Sequence, residues 1–587
     1  MSHIKLNNFA GLYPRIPATK LPVSAALAAA NVDFGYGHLQ SVRSCYKLRD
    51  LPMVARALYS QDGLRFYAWP EDVDCVASPT RAGAAHDRLY YTTADDFRVT
   101  PLSLATPTGT APSVSYRVGV PRPTVAPAIN VVHPAAIPTP VAEVNKVPED
   151  TYAERLASAQ KALEESVKAN TTLTTETRAY TYTYANIYNE EGPPSAAATV
   201  EVKTQTYKGV TTSSTVTVEV TFDGNGQYVP INSARVYRTN ASGATSDYYF
   251  AFSAVGGGKV STVDKIAAAQ LNEVISSLDA YPPDPLLTGL VNVGNGIMAA
   301  FKGRELWFSD AYRPWSWPPS YMKMAKDPIV GLLPYGSGVL ATTVSEPSIF
   351  SGVSPDAMAE LPIETPQAGV SKWAMLSIDG YAFYASNDGI VAVNGMQASL
   401  QLSQKFFTRQ VWRDRYAGGL STMQFAHYDG RILVFSKTAA FTAFMIELDE
   451  GGGEMTELPD FAAQTTLTLT TSDQMYAIQG SGLWQFGGGS DWPLLWRSGD
   501  IVLPEVASLS IAEVECVGDF TVRFYEDGRL GFTKALSTGN TTFRLPDRPK
   551  GEHAGLRRSS RWQFEIQGTG IFKWLKAASS ALEMKKE

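Results

Sequence analysis

The sequence predicts an all-β protein that is built around a β-propeller. Five short runs of apolar and aromatic residues, most of them opening on a tight turn, recur at intervals of roughly 35 to 50 residues, the spacing of four-stranded blades. An Asp-Gly pair before such a run is a strong hairpin signal, because glycine adopts positive φ without strain. Tyrosine and phenylalanine, which favour strands, number 28 and 25. The five runs are 303–308, 337–342, 379–384, 429–435 and 472–477.

The chain begins with an N-terminal arm, predicted over 1–55, in which Pro14 and Pro17 prevent a continuous helix. Similar runs at 62–67 and 87–91 predict one or two blades over 56–125, which ends in a linker rich in Pro, Ala and Thr. We therefore expect residues from about 55 to 103 to share one propeller with the five later runs, which lie within 286–490.

The intervening residues 126–285 show a different pattern. Apolar residues at spacings of three and four predict one long helix over 149–169, which either lies on its own domain or packs on a neighbouring subunit. Alternating tyrosine and threonine over 180–184 predict a strand with tyrosines on one face. Further short strands separated by turns predict an inserted fibronectin-like or immunoglobulin-like β-sandwich.

The last part of the chain, 491–587, also alternates between apolar and polar residues. The alternation at 514–517, 521–525 and 562–566 predicts strands with one buried face. We therefore predict a small C-terminal β-sandwich, followed by a charged tail.

Composition excludes several classes of function. The net charge of −7 does not favour binding to nucleic acid through its phosphates. The three cysteines, Cys45, Cys75 and Cys516, are far apart and odd in number, which argues against a disulfide framework and for a reducing compartment. No apolar run reaches about 18 residues, so no stable membrane insertion is expected.

The sequence has no recognised pattern of catalytic or metal-binding residues. Its six histidines are scattered, and neither a Gly-x-Ser-x-Gly turn nor a Walker loop occurs. The turns at 60–63 and 386–389 are only partly similar to the Asp-box turns of sialidase propellers. We therefore predict a protein that is not an enzyme and has no catalytic residue, cofactor or metal.

An unusual aromatic segment lies in the second half of the chain. It contains Trp307, Tyr312, Arg313, Trp315 and Trp317 within a dozen residues. Such rings could stack on a sugar or a base. The interpretation that we favour is a proline-stiffened connection between blades, whose rings fill a gap or contact another subunit.

Three sets of residues, taken in their order along the chain, carry a family resemblance. The first is Asn-Phe-Ala-Gly-Leu-Tyr-Pro-Arg at 8–15, with Ala-Asn-Val-Asp at 30–33. The second comprises 180–184, Glu-Glu-Gly-Pro-Pro-Ser at 190–195 and Arg-Val-Tyr-Arg-Thr at 235–239, and the third is 306–318. With these features the chain resembles the tail tube or nozzle proteins of short-tailed bacteriophages. The helix over 149–169 and the proline-rich stretch before it depart from the family's pattern.

The resemblance implies a structural role in the virion tail, after assembly in the host cytoplasm. It implies a homo-hexameric ring that joins adaptor and portal-side proteins to distal tail or fibre proteins, with DNA leaving through the lumen without specific binding. A weakly negative lumen would let DNA slide, and the acidic composition agrees with that. A carbohydrate-binding or depolymerising propeller of the virion is the alternative, and a soluble hub for host proteins is a third. The candidate interface residues are Phe9, Tyr13, Arg15, Trp307, Tyr312, Arg313, Trp315 and Trp317.

Overall fold

Strands dominate the computed structural model of the chain, so the prediction of a mostly β protein is confirmed. The structure describes residues 3–35, 37–80, 87–105, 107–142, 149–223, 226–240, 247–448, 453–547 and 557–585. Within these residues, seven antiparallel sheets follow one another in a propeller-like ring. The first strand of each sheet contacts the first strand of a neighbouring sheet, and buried side chains join the first two sheets, so the ring closes.

We number these sheets blades 1 to 7. Blade 1 contains Ala57–Ser60 and Phe66–Trp69, and blade 2 contains Asp74–Ala77, Arg88–Thr92, Phe97–Pro101 and Tyr116–Arg117. Blade 3 contains Thr288–Gly294, Ile297–Lys302, Glu305–Phe308 and Lys323–Met324. Blade 4 contains Ile329–Tyr335, Gly338–Thr343, Ser348–Ser351 and Ala359–Pro362.

The remaining blades have the same antiparallel order. Blade 5 contains Met375–Ile378, Tyr381–Ser386, Gly389–Asn394 and Gln397–Ser399. Blade 6 contains Met423–Tyr428, Arg431–Ser436, Ala443–Glu447 and Met455–Leu458. Blade 7 contains Thr465–Leu469, Gln474–Gln479 and Gly482–Gln485, with Tyr46–Asp50 as its fourth strand.

The recurrent runs occupy equivalent places in most blades. In blades 4 to 7 each run forms the second strand, and in blade 3 it forms the third. Asp379 and Asp429 both have φ of 49°, and the glycine after each also has positive φ, as a two-residue hairpin turn requires.

The N-terminal residues are integrated into the body, which differs from the predicted separate arm over 1–55. Tyr46–Asp50 pairs with Gly482–Gln485, so an N-terminal strand completes the last blade. His3–Leu6 and Leu39–Ser41 pair with Arg558–Ala578 near the other end of the chain.

The C-terminal strands share a 14-stranded sheet, counted over the described residues, with blade 6 and the N-terminal strands. The parallel pairing of Ala30 with Glu457 connects this sheet to blade 6. The predicted boundary at 491 therefore does not isolate a separate C-terminal sheet. The strands outside blade 6 are His3–Leu6, Ala26–Ala30, Val32–Asp33, Leu39–Ser41, Leu494–Ser498, Ile501–Ser508, Ile511–Glu526, Arg529–Leu536, Gly539–Arg544 and Arg558–Ala578.

An inserted unit leaves the ring after blade 2 and returns at blade 3. Its two sheets share one buried cluster, in which Tyr180, Tyr182 and Tyr184 of one sheet pack with Val216 and Val218 of the other. One sheet contains Ala128–Val132, Thr215–Thr221 and Lys259–Val263. The other contains Thr171–Asn186, Ala198–Tyr207, Val210–Ser213, Ile231–Thr239 and Tyr248–Val255.

The long helix spans Glu149–Ala169 and directly precedes the first strand of the larger inserted sheet. Its sequence is rich in Ala, Glu, Lys and Leu, which have high intrinsic helix propensity. The other α-helices among the described residues are short: Gln401–Phe406, Arg409–Tyr416 and Ala581–Met584. The 3-10 helices are Ala18–Lys20, Ala268–Gln270, Pro319–Tyr321 and Ala417–Thr422.

Candidate functional site

A cavity of about 260 Å³ lies at the axis of the ring. Each blade, or the loop that leads into it, contributes to the wall, because first strands converge at the centre of a propeller. The wall includes Leu58, Asp74, Leu290, Leu332, Trp373, Gln424 and Thr466, one from each blade in order. We call this space the hub cavity.

Asp74 connects three blades at the hub. Its carboxylate accepts a hydrogen bond from Lys372 Nζ at 2.8 Å and another from the backbone N–H of Gly289 at 2.7 Å. The Thr288 hydroxyl donates to the same oxygen at 3.1 Å. Gly289 has φ of 68°, and a Cβ there would lie 2.3 Å from the Phe301 ring, so the approach to Asp74 requires glycine.

A second ion pair lies beside the first. Lys437 Nζ is 2.6 Å from Asp72 Oδ1 and 3.8 Å from the centre of the Trp373 ring. Burial lowers the pKa of Lys437, and the hydrogen bond to Asp72 opposes that shift. The lysine therefore has an ion-pair partner and a cation–π contact in place of water.

Gln424 is the hub residue whose hydrogen bonds are incomplete. Its side chain is in the wall and the residue is 7% exposed. Its Nε2 donates to Thr466 Oγ1 at 3.2 Å, while Oε1 has no hydrogen-bond partner among the described residues. A threonine hydroxyl can donate or accept, so turning the amide over would leave the NH₂ group unpaired instead. One polar atom of this amide therefore remains unpaired in the cavity in either orientation.

The titratable groups at the hub are engaged by their neighbours. Both carboxylates, Asp72 and Asp74, form ion pairs with lysines. Burial raises the pKa of the Cys75 thiol well above its ordinary value, which keeps the sulfur protonated and a poor nucleophile. Over the described ranges, no group of three or more His, Cys, Asp or Glu residues is placed to hold a metal ion.

The aromatic segment joins blade 3 to the inserted unit. Trp317 is fully buried, and its ring lies 5.4 Å from the ring of Phe97 in blade 2. Trp315 Nε1 donates to the Glu191 carbonyl at 3.3 Å. Arg313 donates to the Ser276 carbonyl at 3.2 Å, which adds a second contact to that unit. These three residues therefore contact their own chain.

The other candidates in this segment are more accessible. Trp307 is half-buried and donates to Glu305 at 3.0 Å. Tyr312 is 60% exposed and has φ of 59°, a conformation that a bulky residue rarely adopts. Tyr312 is therefore the member of the segment that is most available to another molecule.

The three N-terminal candidates are also placed against their own chain. Phe9 is buried, with its ring 4.9 Å from that of Trp496. Tyr13 stacks on Phe406 with ring centres 5.8 Å apart, while Arg15 is exposed and its guanidinium donates to a backbone carbonyl. Phe9 and Trp317 are therefore unavailable to a second subunit, whereas an interface role for the exposed candidates stays a prediction.

Sequence reasoning missed the hub network. Asp72, Asp74, Lys372, Gln424 and Lys437 are far apart in the sequence and match no motif. Only closure of the ring brings them together. A local signal does exist in the acidic sequence 71–74 next to a blade strand, but nothing there indicates which lysines would pair with it.

No protein-family model and no curated protein matches this chain. Solved structures similar to it include PorZ, a bacterial surface component of the type-IX secretion system of Porphyromonas gingivalis. That chain is 11% identical, with 81% of this chain and 74% of that one covered and a TM-score of 0.24. The N-terminal domain of Nup159 is 12% identical, covering 50% of this chain and 91% of that one, with a TM-score of 0.20.

A third similar structure is an exo-β-1,3-galactanase from Phanerochaete chrysosporium. It is 8% identical, with 89% of this chain and 99% of that one covered and a TM-score of 0.17. TM-scores this low carry no argument about function. Among the described residues, no helix has the length and apolar character needed to cross a membrane.

Proposed function

We propose that this chain is a non-enzymatic structural subunit of a bacteriophage tail, which assembles into a ring around a channel for DNA. The observation that carries the proposal is an exposed arm on the inserted unit. The arm consists of the helix Glu149–Ala169 and the outer halves of the two strands that follow it, 171–178 and 201–207. The family resemblance suggests a ring of subunits, and this exposed arm provides a surface through which subunits could contact one another.

The arm extends well beyond the inserted unit's buried cluster. Val202, which lies opposite Glu176, is the outermost cluster residue on these two strands, so residues 171–175 reach roughly 15 Å past the cluster at about 3.3 Å per residue. Thr171 pairs with Tyr207 near the far end, and the next strand, Val210–Ser213, is exposed throughout. A ribbon of this length has little core of its own to stabilise it.

The helix of the arm has a half-covered apolar stripe. Leu156, Ala159, Leu163 and Val167 are half-buried, and no helix residue from Thr151 onward is fully buried. Strong helix propensity explains how the helix forms with so little burial. Three further apolar side chains of the arm and its adjoining strand are exposed, and exposed apolar side chains suit a protein partner. They are Tyr152 at 39%, Leu173 at 58% and Val210 at 68% exposure.

The arm fits the head-to-tail contact of a closed ring, in which one surface of a subunit binds a different surface of the next. We propose six copies, with the inserted unit as a fibronectin-like sandwich that carries the arm. Adaptor and portal-side proteins would bind one face of the ring, and distal tail or fibre proteins the other. DNA would pass through the lumen between subunits, because the cavity of about 260 Å³ at the hub of each propeller is far too small to admit it.

The depolymerising alternative has less support. Hydrolysis of a glycosidic bond requires two carboxyl groups with different protonation states across the bond. The two hub carboxylates are instead each paired with a lysine, at 2.8 Å for Asp74 and 2.6 Å for Asp72. Both carboxylates are therefore occupied by ion pairs.

Electron microscopy of the purified full-length chain tests the proposal. We expect class averages that show a closed ring with six-fold symmetry and an open centre, either alone or after addition of portal–adaptor complex. Sedimentation over a range of concentrations gives the mass of the same species. A chain that stays monomeric under both conditions, or an assembly without a central opening, would contradict the proposal.

A further inference from the structure

We propose that the hub cavity binds a small hydroxylated carboxylate, either a 2-hydroxy acid or a uronic acid. This inference is independent of ring formation, because every residue that lines the cavity belongs to one propeller. It rests on three properties of the cavity: an unpaired buried amide, an excess of positive charge and a limited size.

The unpaired amide of Gln424 indicates a polar ligand. A buried polar atom without a hydrogen bond destabilises the fold, so such atoms are rare unless something else supplies the bond. Gln424 is 7% exposed, and its Oε1 lacks a partner among the described residues. A ligand hydroxyl satisfies this amide in both orientations, because a hydroxyl can donate to Oε1 or accept from Nε2.

The charges around the cavity favour an anion. Lys372 and Lys437 are balanced by Asp74 and Asp72, respectively. Arg56 is also in the cavity wall, is exposed, and forms no ion pair with any described residue. In the wall itself Arg56 and Lys372 are positive and Asp74 is negative, so the net charge of the lining is +1. A guanidinium binds a carboxylate through two parallel hydrogen bonds, so one carboxylate is the matching group.

The volume of the cavity limits the ligand to a small molecule. Sites for drug-sized ligands begin at about 300 Å³, and the hub cavity has about 260 Å³. One sugar ring or a short hydroxy acid fits such a space, whereas an oligosaccharide does not. Because Arg56 lines the cavity and is exposed, a ligand can enter from its side.

Titration calorimetry and thermal unfolding of the full-length chain test the site with four probes. D-glucuronate and D-lactate represent the two sources of the proposed chemistry. D-glucose lacks the carboxylate, and acetate lacks the hydroxyl. We expect one or both hydroxylated carboxylates to bind and to raise the unfolding temperature, with at least roughly tenfold weaker binding of glucose and acetate, since each loses a charge-assisted or amide hydrogen bond.

Gln424→Leu separates a loss of binding from a loss of folding. Without a ligand, this variant should be about as stable as the parent, because it removes an unpaired polar atom together with one hydrogen bond to Thr466. Its ligand-dependent increase in unfolding temperature should nevertheless disappear. Gln397→Leu makes the same change at an exposed position on the outer strand of blade 5 and should leave binding unchanged.

Arg56→Gln is the second variant. Because the Arg56 side chain is exposed, this substitution should not affect folding. It should weaken binding of the carboxylate probes by roughly tenfold or more and leave the ligand-free unfolding temperature unchanged. The proposal is overturned if neither glucuronate nor lactate binds at millimolar concentration. It is also overturned if glucose and acetate bind as tightly as glucuronate and lactate. The same holds if Arg56→Gln leaves the affinity for glucuronate and lactate unchanged.

Discussion

Arg88 of blade 2 donates to Glu190 of the inserted unit, and the two side chains are 2% and 6% exposed. Arg88 also lies 4.0 Å from the centre of the Tyr188 ring, and Glu190 accepts from Asn186 at 2.6 Å. The ion pair therefore belongs to a buried network that connects the propeller-like ring with the unit inserted into it.

The first prediction concerns this pair. Arg88→Met should lower the free energy of unfolding by about 3–5 kcal/mol, because it leaves the buried Glu190 carboxylate without a counter-ion. Arg88→Met combined with Glu190→Gln removes both charges, keeps the bond to Asn186, and should recover more than half of that loss. Guanidinium unfolding of the three proteins measures the difference. Equal stability of the single and double variants would refute the coupling.

The second prediction distinguishes residues of the aromatic segment. Trp317→Ala should cost about 3–5 kcal/mol of stability, because it empties a fully buried site. Trp315→Ala should cost about 1–2 kcal/mol, since its ring is half-buried and it loses one hydrogen bond to the Glu191 carbonyl. Tyr312→Ala should leave the unfolding temperature unchanged and weaken assembly. Thermal unfolding and sedimentation measure the two effects, and the reverse order of the two tryptophan variants would contradict the burial argument.

The third prediction concerns the exposed arm. Leu156→Glu together with Leu163→Glu places charges on the apolar stripe and should prevent assembly into rings, while the unfolding temperature of the body stays unchanged. Lys161→Glu, on another face of the helix, changes the net charge by the same −2 and should assemble normally. Sedimentation measures assembly, and circular dichroism measures unfolding. Normal rings from the double variant would remove the arm from the interface.

The fourth prediction concerns pH. Burial raises the pKa of Tyr180, Tyr182 and Tyr184 above the ordinary value near 10. Above about pH 10 the unfolded chain loses these protons first, so their contribution to stability is fully present below that pH and is lost as pH rises through the folded-state pKa values. Urea unfolding of the inserted unit should therefore occur at lower urea concentration near pH 11 than near pH 8.

Tyr182→Phe provides the control for the pH experiment. It removes one phenol that donates to the Thr221 carbonyl at 3.1 Å, at a cost of about 1 kcal/mol at neutral pH. The loss of stability between the two pH values should be smaller in this variant than in the parent. An unchanged difference would show that other groups cause the alkaline effect.

The sequence predicted those elements whose signals are local. The turns at Asp379 and Asp429 were predictable because Asp-Gly fixes positive φ without reference to the rest of the chain. The pairing of Tyr46–Asp50 with Gly482–Gln485 was not predictable, because period-two alternation identifies a strand but does not identify the strand that pairs with it.

The same distinction applies to the candidate site. The tryptophans of the aromatic segment could be recognised as contact residues, but burial in the chain's own core and burial against another subunit require the same side chains. Asp74, Lys372 and Gln424 were invisible to sequence reasoning, because each belongs to a different blade and only the closed ring brings them to one cavity.

The strand Tyr46–Asp50 has a consequence for synthesis on the ribosome. It remains unpaired until Gly482–Gln485 has emerged from the ribosome, because that strand is its partner in blade 7. His3–Leu6 remains unpaired for longer, since it pairs with the end of Arg558–Ala578. A chain that terminates before Gly482 therefore cannot complete the ring and keeps exposed strand edges, which are targets for proteolysis and aggregation. The topology thus makes closure of the ring depend on synthesis of the chain through the end of blade 7.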